Sequence, residues 1–246
     1  MKYFIAAVCS GIFLAVATAG AEPAALVVAV RGKATVERGI KKLDAQPKLG
    51  IELHDTVSTS DGGRVKLLFV DDSVLTLAEK TRMSVDTFIH SRDDRGKSLF
   101  SLLGGKMRAV SGRTRFEVKT PTVVATARGT IIFIETGTLN GRIFTRVNCL
   151  EGIVNVRALS DVEEKKSATL SPGESLLVFD GQPLPLPAKL TAEEIENLKR
   201  DTSTSGAEIR LPGVPPRESI FKDTGITPIP VVPSFDLQQP VQPRNP

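Results

Sequence analysis

The chain has no tryptophan, one tyrosine, two cysteines and two histidines in 246 residues. Each scarcity removes a class of chemistry. His54 and His90 have no second ligand at metal spacing, and no HExxH, CxxC or EF-hand pattern occurs. A G-x-S-x-G elbow for a nucleophilic serine is also missing. Gly104-Gly105-Lys106 lacks the further glycine and the spacing of a phosphate loop, so it reads as a turn entering a strand. Asp71-Asp72 is a carboxylate pair in sequence, but neighbours on a strand point to opposite faces, and a turn is their ordinary home. The sequence therefore predicts no enzyme, no cofactor and no metal site.

Neither sign of charge dominates. Lys and Arg number 32 against 28 Asp and Glu, a net charge of +4. Nucleic-acid binding normally rests on a strongly clustered basic face, so this mild excess predicts no nucleic-acid partner.

Long apolar runs are absent after the first twenty residues. At the N-terminus, Lys2 precedes an apolar stretch from Phe4 to Ala17, and Ala19-Gly20-Ala21 then leads into Glu22-Pro23. A charged start, an apolar middle and an A-x-A site make a secretory signal peptide over residues 1–21, cut after Ala21. The apolar run is shorter than the roughly 20 residues of a spanning helix. An uncleaved anchor is the alternative, and it would make the chain a transmembrane signal relay. Cys9 lies inside the apolar run, without the residues of a lipidation site. Cleavage removes Lys2, leaving 31 basic against 28 acidic residues, or +3. It also leaves Cys149 alone, so no internal disulfide forms, and a lone cysteine reads as a small buried apolar residue. The expected location is periplasmic or secreted, with no transmembrane helix after the signal.

What is present is β texture. From Ala25 to Gly181, short apolar-polar alternations are punctuated by Gly, Asp, Asn and Pro. Val65 to Val70 reads as a strand, Asp71-Asp72-Ser73 as a turn, and Val74 to Leu77 as the return. Further strands are expected at Phe116 to Thr120, Ile131 to Ile134, Ile143 to Val147, Ile153 to Val156 and Leu176 to Phe179. Runs opening at Gly50, Gly105 and Gly152 echo one another at intervals of about 50 residues, as a stacked or solenoid-like chain would. A two-layer sandwich or jelly roll explains the same alternation. The expected fold is all-β: one β-sandwich or jelly-roll-like domain, or a short β-solenoid, over 25–181. Residues 182–200 read as a Pro-rich connector and a short helix, with Thr191 and Glu194 as its capping box. Residues 201–246 read as a disordered Pro-rich tail.

One cluster of side chains suggests a site. Lys106 and Arg108 share a strand face, as do Arg113 and Arg115, with Lys119 nearby, and together they make a positive stripe. Such a stripe suits a phosphate-bearing lipid, an anionic glycan or an acidic partner. The ordinary reading, and the favoured one, is a solvated strand face that also discourages edge pairing, as one-sided antiparallel sheets normally show.

The order of the motifs resembles the FecR-domain family of bacterial envelope proteins, from about Leu49 to Leu177. Leu49-Gly50 with Asp55 to Thr59 is similar to its opening, and Phe69 with Asp71-Asp72-Ser73 to Leu77 to its hairpin. Phe116 to Pro121, followed by Ala125 to Thr130, is the most specific piece. Glu151 to Val156 and Leu170 to Glu174 complete the series. The resemblance implies fold-determining roles for Asp71, Asp72, Ser73, Thr120, Pro121, Arg128, Gly129, Thr130, Gly152 and Gly173. It also implies a non-catalytic envelope role with an envelope protein as partner. A glycan or an anionic lipid is the alternative ligand. The family's regulators carry a cytoplasmic anti-sigma segment. Only the signal peptide precedes the domain here, so the sigma-factor role is not expected.

Overall fold

The structure is a computed structural model describing residues 22–89, 96–111, 115–160 and 166–202. The predicted signal peptide, Arg113, His90 and the tail from residue 203 lie outside the described residues. All described residues belong to a unit that ends at Ile209.

The strands fall into two ladders. The first sheet contains β1 (Ala25–Arg31), β4 (Gly50–Ile51), β6 (Arg64–Phe69), β7 (Val74–Leu77), β12 (Ile131–Leu139), β13 (Arg142–Glu151), β16 (Glu174–Phe179) and β17 (Ala188–Lys189). The second contains β2 (Ala34–Arg38), β3 (Lys41–Asp44), β5 (Thr56–Thr59), β8 (Arg82–Ile89), β10 (Arg115–Lys119), β11 (Val123–Ala127), β14 (Val154–Ala158) and β15 (Ser167–Leu170). The long strand β9 (Lys97–Val110) belongs to both. Its first half pairs β8 and β10, its second half β7 and β12, and the chain changes sheet at Gly104-Gly105. All pairings are antiparallel except β9 with β10. The first sheet runs β4-β1-β6-β7-β9-β12-β13-β16-β17 and the second β3-β2-β5-β8-β9-β10-β11-β14-β15.

Period-2 alternation explains why the two layers close on each other. Val65, Leu67 and Phe69 of β6 point one way and are buried, as are Phe116 and Val118 of β10 and Val154 and Val156 of β14. One core takes side chains from both sheets. Without tryptophan, phenylalanine supplies its bulk. Phe69 lies 5.0 Å from Phe100, Phe100 5.1 Å from Phe116, and Phe69 5.3 Å from Phe88.

After β9 the chain adds hairpins to alternate layers: β10 and β11 to the second, β12 and β13 to the first, β14 and β15 to the second, β16 and β17 to the first. The arrangement is a sandwich in its layers and solenoid-like in its progress, so both sequence readings describe part of it.

The fifty-residue echo has a structural basis, with a shifted first member. At Gly105 the chain leaves the second sheet, with φ +91°, and its Cα packs against buried Thr81. Thr81 exchanges hydrogen bonds with Thr59: its N–H donates to Thr59 Oγ1 and its carbonyl accepts from the Thr59 N–H, both at 2.9 Å. At Gly152 the chain leaves the first sheet, with φ +79°, packed against buried Thr130. The Thr130 N–H donates to Ser111 Oγ at 3.0 Å, and its carbonyl accepts from the Ser111 N–H at 2.9 Å. The two corners match with the layers exchanged. The earlier crossing, from β4 to β5, is made by His54 at φ +68°, four residues beyond the expected Gly50.

A Cβ on residue 152 would lie 2.6 Å from Thr130 Cγ2 and 2.9 Å from the Gly129 carbonyl, whereas one on residue 141 would meet nothing within 4 Å. Both glycines have positive φ. Gly141→Ala is therefore expected to cost about 1 kcal/mol for backbone conformation alone, and Gly152→Ala about 3 kcal/mol with the added overlap. Urea denaturation of the two variants checks the order.

Candidate interaction surface

The basic residues of the expected stripe do not share a face. Because β9 changes sheet at Gly104-Gly105, Lys106 and Arg108 stand on the outer face of the first sheet. Arg115 and Lys119 stand on the outer face of the second, since β10 pairs the earlier half of β9. Arg113 lies outside the described residues. Period-2 reasoning through residues 104 to 119 fails because it assumes one continuous sheet.

Part of the outer face of the first sheet, over β9, β12 and β13, is covered by the chain itself. Helix α1 (Ala192–Asp201) opens with a complete capping box: Thr191 Oγ1 accepts from the Glu194 N–H at 3.2 Å, and Glu194 Oε2 accepts from the Thr191 N–H at 2.8 Å. Glu193 and Glu194 fill the first turn and Lys199 and Arg200 the last, which suits the helix dipole. The helix crosses the sheet from near Arg146, whose charge reaches Glu194, to Lys106. Lys106 Nζ lies 3.4 Å from Asp201 and 3.6 Å from Glu135. Leu198, Asp201 and Thr202 close over Phe133 and Asn148. This explains why Phe133 and Asn148 are buried although their strands turn them outward. Asn148 satisfies itself with the Ser175 hydroxyl at 2.8 Å, and Arg108 sits 5.7 Å from the Phe133 ring centroid. The sequence signal for this seat was an asparagine and a phenylalanine on the outward-facing register of β12 and β13.

The outer face of the second sheet is polar around Glu117. Glu117, largely buried, takes Arg115 at 2.6 Å and Lys97 at 3.4 Å. Lys119 is exposed at the end of the strand, and Thr126 and Asn155 pair beside Glu117 across β11 and β14. An open cleft of about 360 Å³ lies near the β9 corner, against Gly105, Gly137 and Phe144. Its charged groups are rim groups already engaged: Lys106 with Glu135 and Asp201, and Lys80 with Asp61 at 3.0 Å.

The motif residues hold turns and layer junctions. Asp71 Oδ1 accepts from the Ser73 N–H at 3.0 Å, and Asp72 has φ +65°. Thr120 Oγ1 accepts from the Val123 N–H at 3.0 Å and from Thr145 Oγ1 at 2.9 Å, linking the end of β10 in one layer to β13 in the other. Pro121 follows on the exposed side of that turn. Arg128 is exposed beside Gly129, which has φ +60° and leads into Thr130 of the second corner. Gly173, at φ +79°, donates its N–H to the Cys149 carbonyl at 2.8 Å.

Among the described residues, no group of three or more His, Cys, Asp or Glu is placed to hold a metal, and no helix is long and apolar enough to cross a membrane. Cys149 is fully buried in the core, and burial pushes its thiol pKa up. Ellman's reagent at pH 8 is therefore expected to leave it unmodified in the folded protein and to titrate it fully in guanidinium. The backbone N–H of Thr191 holds the Glu194 carboxyl below its usual 4.5, so the cap contributes above the unfolded pKa and is lost as pH falls through the lowered one. The protection factor of the Thr191 amide, its exchange rate relative to the intrinsic rate at the same pH, is expected to fall on acidification below that point, and Glu194→Gln to remove this pH-dependent loss of protection.

None of the curated proteins matches the chain. Two crystal structures of a candidate anti-sigma factor from Parabacteroides distasonis ATCC 8503 are similar, each at 18% identity over 57% of this chain, with a TM-score of 0.46. The chain spans 62% of the length of those structures. The family model described as FecR protein matches residues 55–155. That stretch begins beside the His54 crossing and ends just after the Gly152 corner, and over it the chain is similar to FecR proteins.

Proposed function

We propose that the protein is a non-catalytic, exported interaction module of the bacterial cell envelope, with a protein as its partner. The observation that carries the reading is the FecR match over residues 55–155, whose motif residues serve turns and layer junctions. A domain whose distinctive residues are spent on its frame works by presenting surface. The second sheet supplies that surface: Arg115 and Lys119 at the edges of β10, with Thr126 and Asn155 alongside. Part of the first sheet's outer face is occupied by α1. Export rests on the charged, apolar and A-x-A segments of residues 1–21.

Envelope fractionation with N-terminal sequencing tests the location, and photo-crosslinking tests the face. The expected result is a protein beginning at Glu22 that a high-salt wash brings into the soluble envelope fraction. A photo-reactive residue at position 119 is expected to give one discrete adduct, and the same probe at position 148, beneath α1, none. A membrane-embedded product retaining residues 1–21 would replace the exported module with an anchored relay. Equal crosslinking from both positions would remove the assignment of the face.

A further inference from the structure

The strand register gathers exposed aliphatic side chains at one end of the second sheet. The β2–β3 hairpin turns at Gly39-Ile40, with Arg38 opposite Lys41. Glu37 pairs with Thr56, so the loop entering β5 reaches the same end. Thr56 pairs with Ser84, so β8 runs past that loop to finish at Ile89. Ala127 pairs with Val154, and this places Ile153 farther along the same rim. Ile40 is 103% exposed, Ile153 63%, Ile89 54% and Leu53 46%. A fully exposed isoleucine at a two-residue turn is chemically odd, since such positions ordinarily take Gly, Asn, Asp or Ser.

The tip is built rigidly. Arg38 donates to both oxygens of fully buried Asp55, at 2.9 and 2.6 Å, to the Gly50 carbonyl at 2.7 Å, and to Glu52. Asp55 Oδ2 also accepts from the Glu52 N–H at 2.8 Å. The clamp fixes the loop carrying Leu53 against the base of the hairpin carrying Ile40.

Charge is distributed unevenly between the two sheets at this end. Lys41 and Lys42 are exposed behind Ile40, and Arg128 is exposed where β11 ends. The nearby acids of the second sheet's rim are engaged, Glu52 with Arg38 and Glu37 with Arg82. Asp72 and Glu151 are exposed at the rim of the first sheet.

We propose that this rim is a peripheral docking surface for an anionic lipid bilayer. Ile40, Leu53, Ile89 and Ile153 enter the headgroup boundary, and Lys41 and Lys42 meet the lipid charge. A planar partner is favoured because the aliphatic contacts are strung along strands β2 to β14, with neighbouring strands about 4.8 Å apart, and so form a line of separate tips. Shallow apolar insertion combined with basic residues is how peripheral proteins hold a membrane reversibly. The inference is independent of the protein partner proposed above.

Vesicle flotation of the full protein as cells produce it tests this, with POPE:POPG vesicles, POPC vesicles and no lipid. The wild type is expected to float with POPG-containing vesicles and far less with POPC, and to release in high salt. Ile40→Asp with Ile153→Asp is expected to lower the floated fraction at least about tenfold. Lys41→Glu with Lys42→Glu is expected to abolish the preference for POPG. Leu139→Asp, at the opposite end of the sandwich, is expected to float as wild type does, with all variants melting cooperatively. Absence of flotation, or equal flotation of the Ile40→Asp/Ile153→Asp and wild-type proteins, overturns the proposal. Loss caused equally by Leu139→Asp does so too. Such results would leave the rim to a protein partner or to solvent.

Discussion

A chain that builds two sheets at once must repeatedly leave one for the other without abandoning its backbone hydrogen bonds. At Gly105 and Gly152 this is solved in the same way. A residue with positive φ turns the chain, and its bare Cα lets a buried threonine approach. That threonine exchanges two hydrogen bonds with a hydroxyl residue well before the glycine in the chain, Thr59 for the first corner and Ser111 for the second. A side chain at the glycine would push the layers apart, and an apolar residue in place of Thr59 or Ser111 would strand the buried threonine N–H. The register of both sheets and the closure of the core follow from these corners. His54 makes the earlier crossing with a positive φ in a non-glycine residue, a conformation steadied by its N–H on the Val85 carbonyl.

The corners also decide what each face can do. By moving β9 from the second sheet to the first, the crossing at Gly104-Gly105 divides the basic residues between two outer faces. One pair, Lys106 and Arg108, lies beside the chain's own helix. The other, Arg115 and Lys119, stays on the polar outer face around Glu117. Helix α1 has no buried residue of its own, and Thr202 just behind it is buried. A helix of ten residues gains little from propensity alone, so its place depends on the cap and on the sheet beneath it.

Local chemistry was readable wherever it repeats at short range. The Asp71-Asp72-Ser73 turn, the strands around it and the Thr191–Glu194 cap are sequence patterns that produce their own geometry. Asn140-Gly141 is as clear a signal: both residues have positive φ and join β12 to β13 directly. The expected echo at Gly50, Gly105 and Gly152 had the right period and two of the right members. Its first member was His54, because the role demands a backbone conformation, which glycine favours but does not monopolise. The stripe from Lys106 to Lys119 could not be read correctly, since alternation along a strand says nothing about which sheet the strand is in.

The sequence by itself determined the β texture, the positions of turns and caps, the mild charge and the FecR motif order, because each is set by residues within a few positions of one another. Tertiary structure decided the exchange of layers at the corners, the cover of α1 over Phe133 and Asn148, and the gathering of Ile40, Leu53, Ile89 and Ile153 at one rim. These juxtapositions depend on strand register across tens to more than a hundred residues. A one-dimensional pattern carries no record of register until the sheets have formed.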